Sequence, residues 1–183
     1  FRELSALVRS RMPLVCIETI EEPKVLRLLE RLAREDLLAF HSWSVAEGLV
    51  HRNFRYGERQ PEGQALFATV ERVGGGRDPA PAGQSREIED TRTLESALHY
   101  IDKRGGQGLF VMLDPHPFLE EPVVVRLMRE IVLDHPETGR TLVLVSPTLP
   151  LPSLLARHAA WLNLRIHDLA GVREILKSEV SLY

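Results

Sequence analysis

Three uninterrupted apolar runs constrain this chain more than any other feature: Leu14-Val15-Cys16-Ile17, Leu109-Phe110-Val111-Met112-Leu113 and Leu142-Val143-Leu144-Val145. A strand that is apolar at every position has no face to offer water, so it belongs inside a sheet covered on both sides. Stretches with apolar residues at helical spacing separate these runs. They carry Val25, Leu28, Leu29 and Leu32, then Leu94, Ala97, Leu98 and Ile101, then Val124, Leu127, Met128 and Ile131. Two mixed runs, Leu38 to Trp43 and Trp161 to Ile166, bring the strands to five. Strands alternating with helices predict an α/β domain with a doubly wound, parallel, five-stranded sheet. The apolar strands are then central and the mixed ones are edges. Order 3-2-1-4-5 would expose the third strand at an edge and is rejected. Orders 5-1-4-3-2, of the P-loop-ATPase type, and 2-1-3-4-5, of the receiver type, both satisfy the pattern.

Local signals mark the boundaries. Leu4, Leu7 and Val8 share a face of a short opening helix that Pro13 ends, because the residue before proline avoids the α conformation. Pro23 suits a helix first turn, and Asp90, Thr91 and Thr93 offer N-caps for the helix that Gly105-Gly106 closes. Ser153 to His158 reads as a short helix, and Val172, Ile175 and Leu176 as the stripe of a last one. Between about Asn53 and Asp90 the pattern breaks, around Gly74-Gly75-Gly76 and Pro79-Ala80-Pro81. Such a composition buries little apolar surface, so a mobile insertion is expected there. The whole of 1–183 reads as one domain. Its opening on Phe1 and its close at Tyr183 within a helical pattern suggest a piece of a longer polypeptide.

Composition removes several function classes. A net charge of −3 gives no basic field for nucleic acid. No apolar run approaches the roughly 20 residues of a membrane span, and no signal core follows the N-terminus. The single cysteine, Cys16, excludes an internal disulfide and a zinc ribbon. A cytoplasmic location is the default.

Ligands of open α/β sheets bind beyond the carboxyl ends of the strands. Those ends carry Glu18-Thr19-Ile20-Glu21-Glu22, Ser44 to Gly48, Asp114-Pro115-His116-Pro117 and Ser146-Pro147-Thr148. A phosphate cradle needs glycines, whose amides wrap the anion, and a lysine to pair its charge. No G-x-x-x-x-G-K-[ST] occurs, and lysine stands only at positions 24, 103 and 177. Glu18, Glu21 and Glu22 would repel a triphosphate, although carboxylates also favour a helix N-terminus on their own account. The third strand does end as an ATPase strand ends, with Asp114 where a carboxylate would hold Mg²⁺. The next position, where an acid would activate water, is Pro115. Ser146 stands where a sensing polar residue would. Asp and Ser-Pro at strand ends are also ordinary turn residues.

Of the seven histidines, His41, His116 and His167 would reach one edge of the sheet, without the spacing of a metal site. No G-x-S-x-G supports a serine hydrolase. Gly74-Gly75-Gly76 leads into proline and alanine rather than a helix, so it is no dinucleotide loop. Arg55, Arg59, Arg72 and Arg77 would suit an acidic partner or simply a solvated surface.

Several short motifs stand in a telling order: Leu7, Arg9 and Pro13; Glu21-Glu22; Trp43-Ser44-Val45 with Gly48; Phe110, Leu113-Asp114, His116 and Phe118-Leu119; and Thr141 to Ser146-Pro147 with Pro150 and Pro152. On these the chain resembles the N-terminal domain of the AAA-family ATPases found in some chloroplast genomes and widely in bacteria. The likeness covers nearly the whole chain except the stretch from Asn53 to Asp90. It implies a degenerate ATPase-like domain preceding a complete AAA module, which would supply the P-loop, ATP, Mg²⁺ and the arginine finger. It also favours order 5-1-4-3-2.

Two functions follow as expectations. The first is a non-catalytic regulatory, assembly or substrate-contact domain, with Asp114 and Ser146 vestigial and no cofactor of its own. Its partners would be its own AAA module and another protein, with ring assembly confined to the intact protein. Its contact surface would draw on Glu18, Glu21, Glu22, Trp43, His116, Phe118, Pro150, Arg55 and Arg72. The alternative is a receiver-like phosphoacceptor, in which Glu18 and Glu21 bind Mg²⁺, Asp114 takes the phosphate and Ser146 senses it. Against it stand Pro115 and the lack of a lysine after the fifth strand. A small-molecule α/β enzyme has no motif in its favour.

Overall fold

The computed structural model describes residues 2–52 and 85–163. In chain order the elements are α1 (Arg2–Arg9), β1 (Leu14–Glu18), α2 (Glu22–Glu35), β2 (Ala39–Ser44), β3 (Gly48–His51), β4 (Arg86–Glu87), α3 (Leu94–Arg104), β5 (Gly108–Leu113), a 3-10 turn (His116–Phe118), α4 (Pro122–Leu133), α5 (His135–Thr138), β6 (Arg140–Ser146), α6 (Ser153–Ala156) and β7 (Ala159–Asn163). The sheet order is β4-β3-β2-β5-β6-β1-β7. Its parallel strands, numbered among themselves along the chain, run 5-1-4-3-2. This is the P-loop-ATPase arrangement, and it removes the receiver order and with it the geometry of the phosphoacceptor reading.

Strand alternation sorts the core into two layers. Val15, Ile17, Leu109, Val111, Leu113, Val143 and Val145 pack with Leu4 and Val8 of α1 and with Val25, Leu28, Leu29 and Leu32 of α2. Leu14, Cys16, Phe110, Met112, Leu142 and Leu144 face Leu94, Leu98 and Ile101 of α3 and Val124, Leu127, Met128 and Ile131 of α4. Both faces of β1, β5 and β6 are thus dry, as their unbroken apolar runs require. The helices begin where their signals lie. Pro23 sits in the first turn of α2, and the Thr93 hydroxyl caps α3 by accepting the Ser96 N–H.

Two expectations are corrected. The sheet has seven strands among the described residues, because a short antiparallel pair extends it beyond β2. Ser44 pairs with Gly48 across the turn Val45-Ala46-Glu47, and Gly48 adopts φ +77°. That left-handed residue closing a three-residue loop is a common hairpin device. A Cβ at Gly48 would also come within 3.2 Å of Thr91. Consequently β2 is interior rather than an edge, and its mixed composition reflects a hydrogen-bonded neighbour. The expected insertion also ends earlier, since Arg86 and Glu87 pair with His51 and Val50. The rest of that stretch, with Arg55 and Arg72, lies outside the described residues, as do Leu164 to Tyr183, including His167 and the last helical stripe.

Thr91 ties the hairpin to α3. Its hydroxyl accepts the Leu49 N–H at 2.9 Å and donates to the Ile88 carbonyl, while its own carbonyl accepts the indole N–H of Trp43 at 3.0 Å. No helix among the described residues is long and apolar enough to cross a membrane.

Candidate functional site at the carboxyl ends of the strands

The parallel register brings Glu18, Ser146 and Asn163 into one row, with Asp114 following Leu113 beside them. Here lies the crevice in which an α/β sheet of this order holds its ligand.

Between β1 and α2 only Thr19, Ile20 and Glu21 intervene, none of them glycine. The loop bonds both to itself and to its neighbours on β6 and α2. The Thr19 hydroxyl accepts the Glu21 N–H, Thr19 N–H donates to the Ser146 carbonyl at 3.0 Å, and Glu21 pairs with Lys24. Glu18 reaches across the crevice, its carboxylate accepting the Leu149 N–H at 3.0 Å. One carboxylate therefore joins the loop after β1 to the loop after β6. The Thr19, Glu21 and Leu149 N–H groups are thereby turned to the protein's own acceptors.

Asp114 follows β5 with φ +49°, a left-handed conformation that aspartate tolerates better than most residues. Its N–H donates to the Val145 carbonyl. The buried Ser146 hydroxyl lies 3.3 Å from Asp114 Oδ1 and 2.8 Å from His116 Nδ1. A carboxylate only accepts, and the hydroxyl has one proton. When the hydroxyl donates to Asp114, its lone pairs are left to accept the Nδ1–H of His116. Glu22, in the first turn of α2, has its carboxyl pushed above the usual range, first by desolvation and then by the charge of Asp114. The negative charge that disfavours ionised Glu22 would repel a polyphosphate as well.

The structure brings Glu18, Asp114, His116 and Ser146 together at one crevice. Glu21 and Glu22 flank it, and Pro150 is exposed beside it. Trp43 requires correction. Expected on a contact surface, it is fully buried, with its indole bonded to Thr91 and its ring edge-on to Phe118 at 5.9 Å. Half-buried Phe118 belongs to that packing more than to a surface. No cluster of three or more metal-ligating side chains occurs among the described residues.

Sequence reasoning passed over the environment of two groups. His41 stacks between His51 and Phe110, with centroids 4.6 Å from each. Burial, and then the neighbouring His51, lower its pKa to about 3. Cys16 is fully buried in β1, and desolvation followed by the charge of Glu18 raises its thiol to about 12. His41 pairs with His51 across a hairpin that sequence reasoning did not find.

The family model described as SpoVK-like AAA ATPase, N-terminal domain, matches residues 1–164. No curated protein and no solved structure matches the chain. Matched over nine-tenths of its length, the chain belongs to the family of SpoVK-like AAA ATPase N-terminal domains.

Proposed function

We propose that, as such an N-terminal domain, the chain is a non-catalytic regulatory, assembly or substrate-contact module of a cytoplasmic AAA ATPase. It keeps the ATPase sheet but has exchanged nucleotide chemistry for protein contact. One observation carries this reading: the loop between β1 and α2. In a working ATPase of this sheet order that loop is glycine-rich and its amides and lysine hold the phosphates. Here it is three residues long, lacks glycine, turns its Thr19 and Glu21 N–H groups to the protein's own acceptors, ends on Glu21 and is flanked by Glu18 and Glu22. Pro115, with no N–H and no carboxylate, stands where an acid would activate water. Asp114 and Ser146 retain the mutual hydrogen bond of an ATPase-like centre, with His116 completing it from the side. ATP and Mg²⁺ then act in the module that follows in the intact protein.

Isothermal calorimetry of the chain with ATP and ADP, with and without Mg²⁺, tests the reading. It predicts no saturable heat. Micromolar binding would overturn it.

A further inference from the structure

We propose that this chain binds a short hydroxy-carboxylic acid, with one carboxylate and a neighbouring hydroxyl, in a cavity at the amino ends of β5 and β6. The site lies at the opposite end of these strands from the crevice and stands apart from the reading of that crevice.

The cavity measures about 170 Å³. A cavity of ~150 Å³ holds a benzene molecule, so the ligand has roughly six to eight non-hydrogen atoms. Val8 of α1, Leu38 before β2 and Leu109 of β5 give it apolar walls, and residues 135–139 with Thr141 complete it. Apolar walls carrying a few placed polar groups are the usual make-up of a small-molecule site.

Two buried polar side chains of this lining lack partners among the described residues. His135, 6% exposed, gives its Nδ1 proton to the Arg140 carbonyl at 2.7 Å. A carbonyl only accepts, so the neutral ring carries its lone pair on Nε2, and that atom is buried without a partner. Arg140 is itself held by the Gly105 and Asp102 carbonyls, which fixes the acceptor the ring is turned to. Thr141, 4% exposed, makes no side-chain hydrogen bond among the described residues. Buried polar groups are nearly always paired, so two unpaired ones on one cavity mark what its occupant supplies. His135 needs a donor, and Thr141 accepts or donates.

The rim sets the charge. Arg11, exposed after α1 with φ +56°, and Gln107, exposed before β5, line the cavity without a side-chain partner among the described residues. Together they suit one carboxylate. Gly139 holds φ +65°, and a Cβ there would stand 2.9 Å from Gln107 Cγ, so the absent side chain lets Gln107 lie against this wall. Exposed Glu137, on the same lining, opposes a second negative charge and so disfavours a dicarboxylate. No carboxylate of the lining is buried beside His135. The donor that can be desolvated there is therefore a neutral hydroxyl rather than an ammonium.

Lactate is the probe, with propionate (no hydroxyl) and alanine (an ammonium in its place) as controls of matched size. In a magnetic-resonance titration of the nitrogen-labelled 183-residue chain, lactate should shift the amides of Gly108 and of residues 135–141 saturably, with a millimolar Kd. Propionate and alanine should bind about tenfold more weakly or worse. Thr141→Val, nearly isosteric, and Arg11→Ala, on the surface, should each weaken lactate about fivefold or more. The amides of β1 should keep their shifts in both variants, showing that the fold is intact; if Thr141→Val does not fold, Arg11→Ala decides. No saturable shift at the lining overturns the inference. Propionate binding as well as lactate overturns it too, because the unpaired groups would then select nothing. Preference for alanine overturns the ligand class, and unchanged lactate affinity in the variants overturns the placement.

Discussion

Acid should destabilise this domain through His41. Its ring lies between His51 and Phe110, each at 4.6 Å, and among the described residues its Nδ1 has no hydrogen-bond partner. In the folded chain it takes a proton only near pH 3, whereas in the unfolded chain it does so near 6.5. Between those values the unfolded state holds more protons, so stability falls as pH drops and is fully retained above about 6.5. One pH unit of such a shift corresponds to about 1.4 kcal/mol. Going from pH 7.5 to pH 4.5 should therefore cost about 2–3 kcal/mol from this residue alone. Chemical denaturation at intervals across that range, on the wild type and on His41→Gln, isolates the effect. Glu22, whose raised carboxyl acts with the opposite sign, is common to both proteins and cancels in the difference. The variant should be less stable at pH 7.5, having lost its stacking, yet distinctly flatter with pH. Parallel stability profiles would refute the reasoning.

Other outcomes follow from single contacts. Thr91→Val keeps the side-chain shape but leaves the buried Leu49 N–H and the Ile88 carbonyl unpaired, so it should cost about 2–4 kcal/mol in denaturant unfolding. A loss below about 0.5 kcal/mol would show that water replaces the hydroxyl there. Cys16, buried and with its thiol near 12, should react with a thiol reagent at pH 8 only as fast as the domain opens. A rapid phase from the native protein would contradict its placement in β1.

Much of the fold was legible because burial on two faces leaves a direct mark. The runs at Leu14, Leu109 and Leu142 admit few alternatives, and helix stripes such as Val25 to Leu32 are set by geometry. Strand order was not legible from pattern, since two orders satisfied it; the resemblance selected the one the structure has. The β3–β4 extension escaped notice for a physical reason. Leu49-Val50-His51 is too short to alternate convincingly, and Arg86-Glu87 is exposed and polar, held by backbone bonds rather than by burial. Its one sequence signal was Gly48 after a three-residue turn. Without that hairpin, β2 read as an edge and His41 lost its neighbour His51. Trp43 was misplaced because its hydrogen-bond acceptor, Thr91, lies 48 residues away. The crevice fared better, since strand ends in an α/β sheet are predictable addresses. Joining Ser146 to Asp114 and His116 required only that β5 and β6 be neighbours, whereas the Glu18–Leu149 tie was invisible.

The central claim, that this ATPase-type sheet has no nucleotide site, meets its most direct test in thermal unfolding of the chain with and without millimolar MgATP. A ligand held by the native state at one hundred times its Kd adds about 2.7 kcal/mol of stability, enough to raise the midpoint by several degrees. The account predicts coincident transitions. A midpoint that climbs with MgATP concentration and saturates would contradict it.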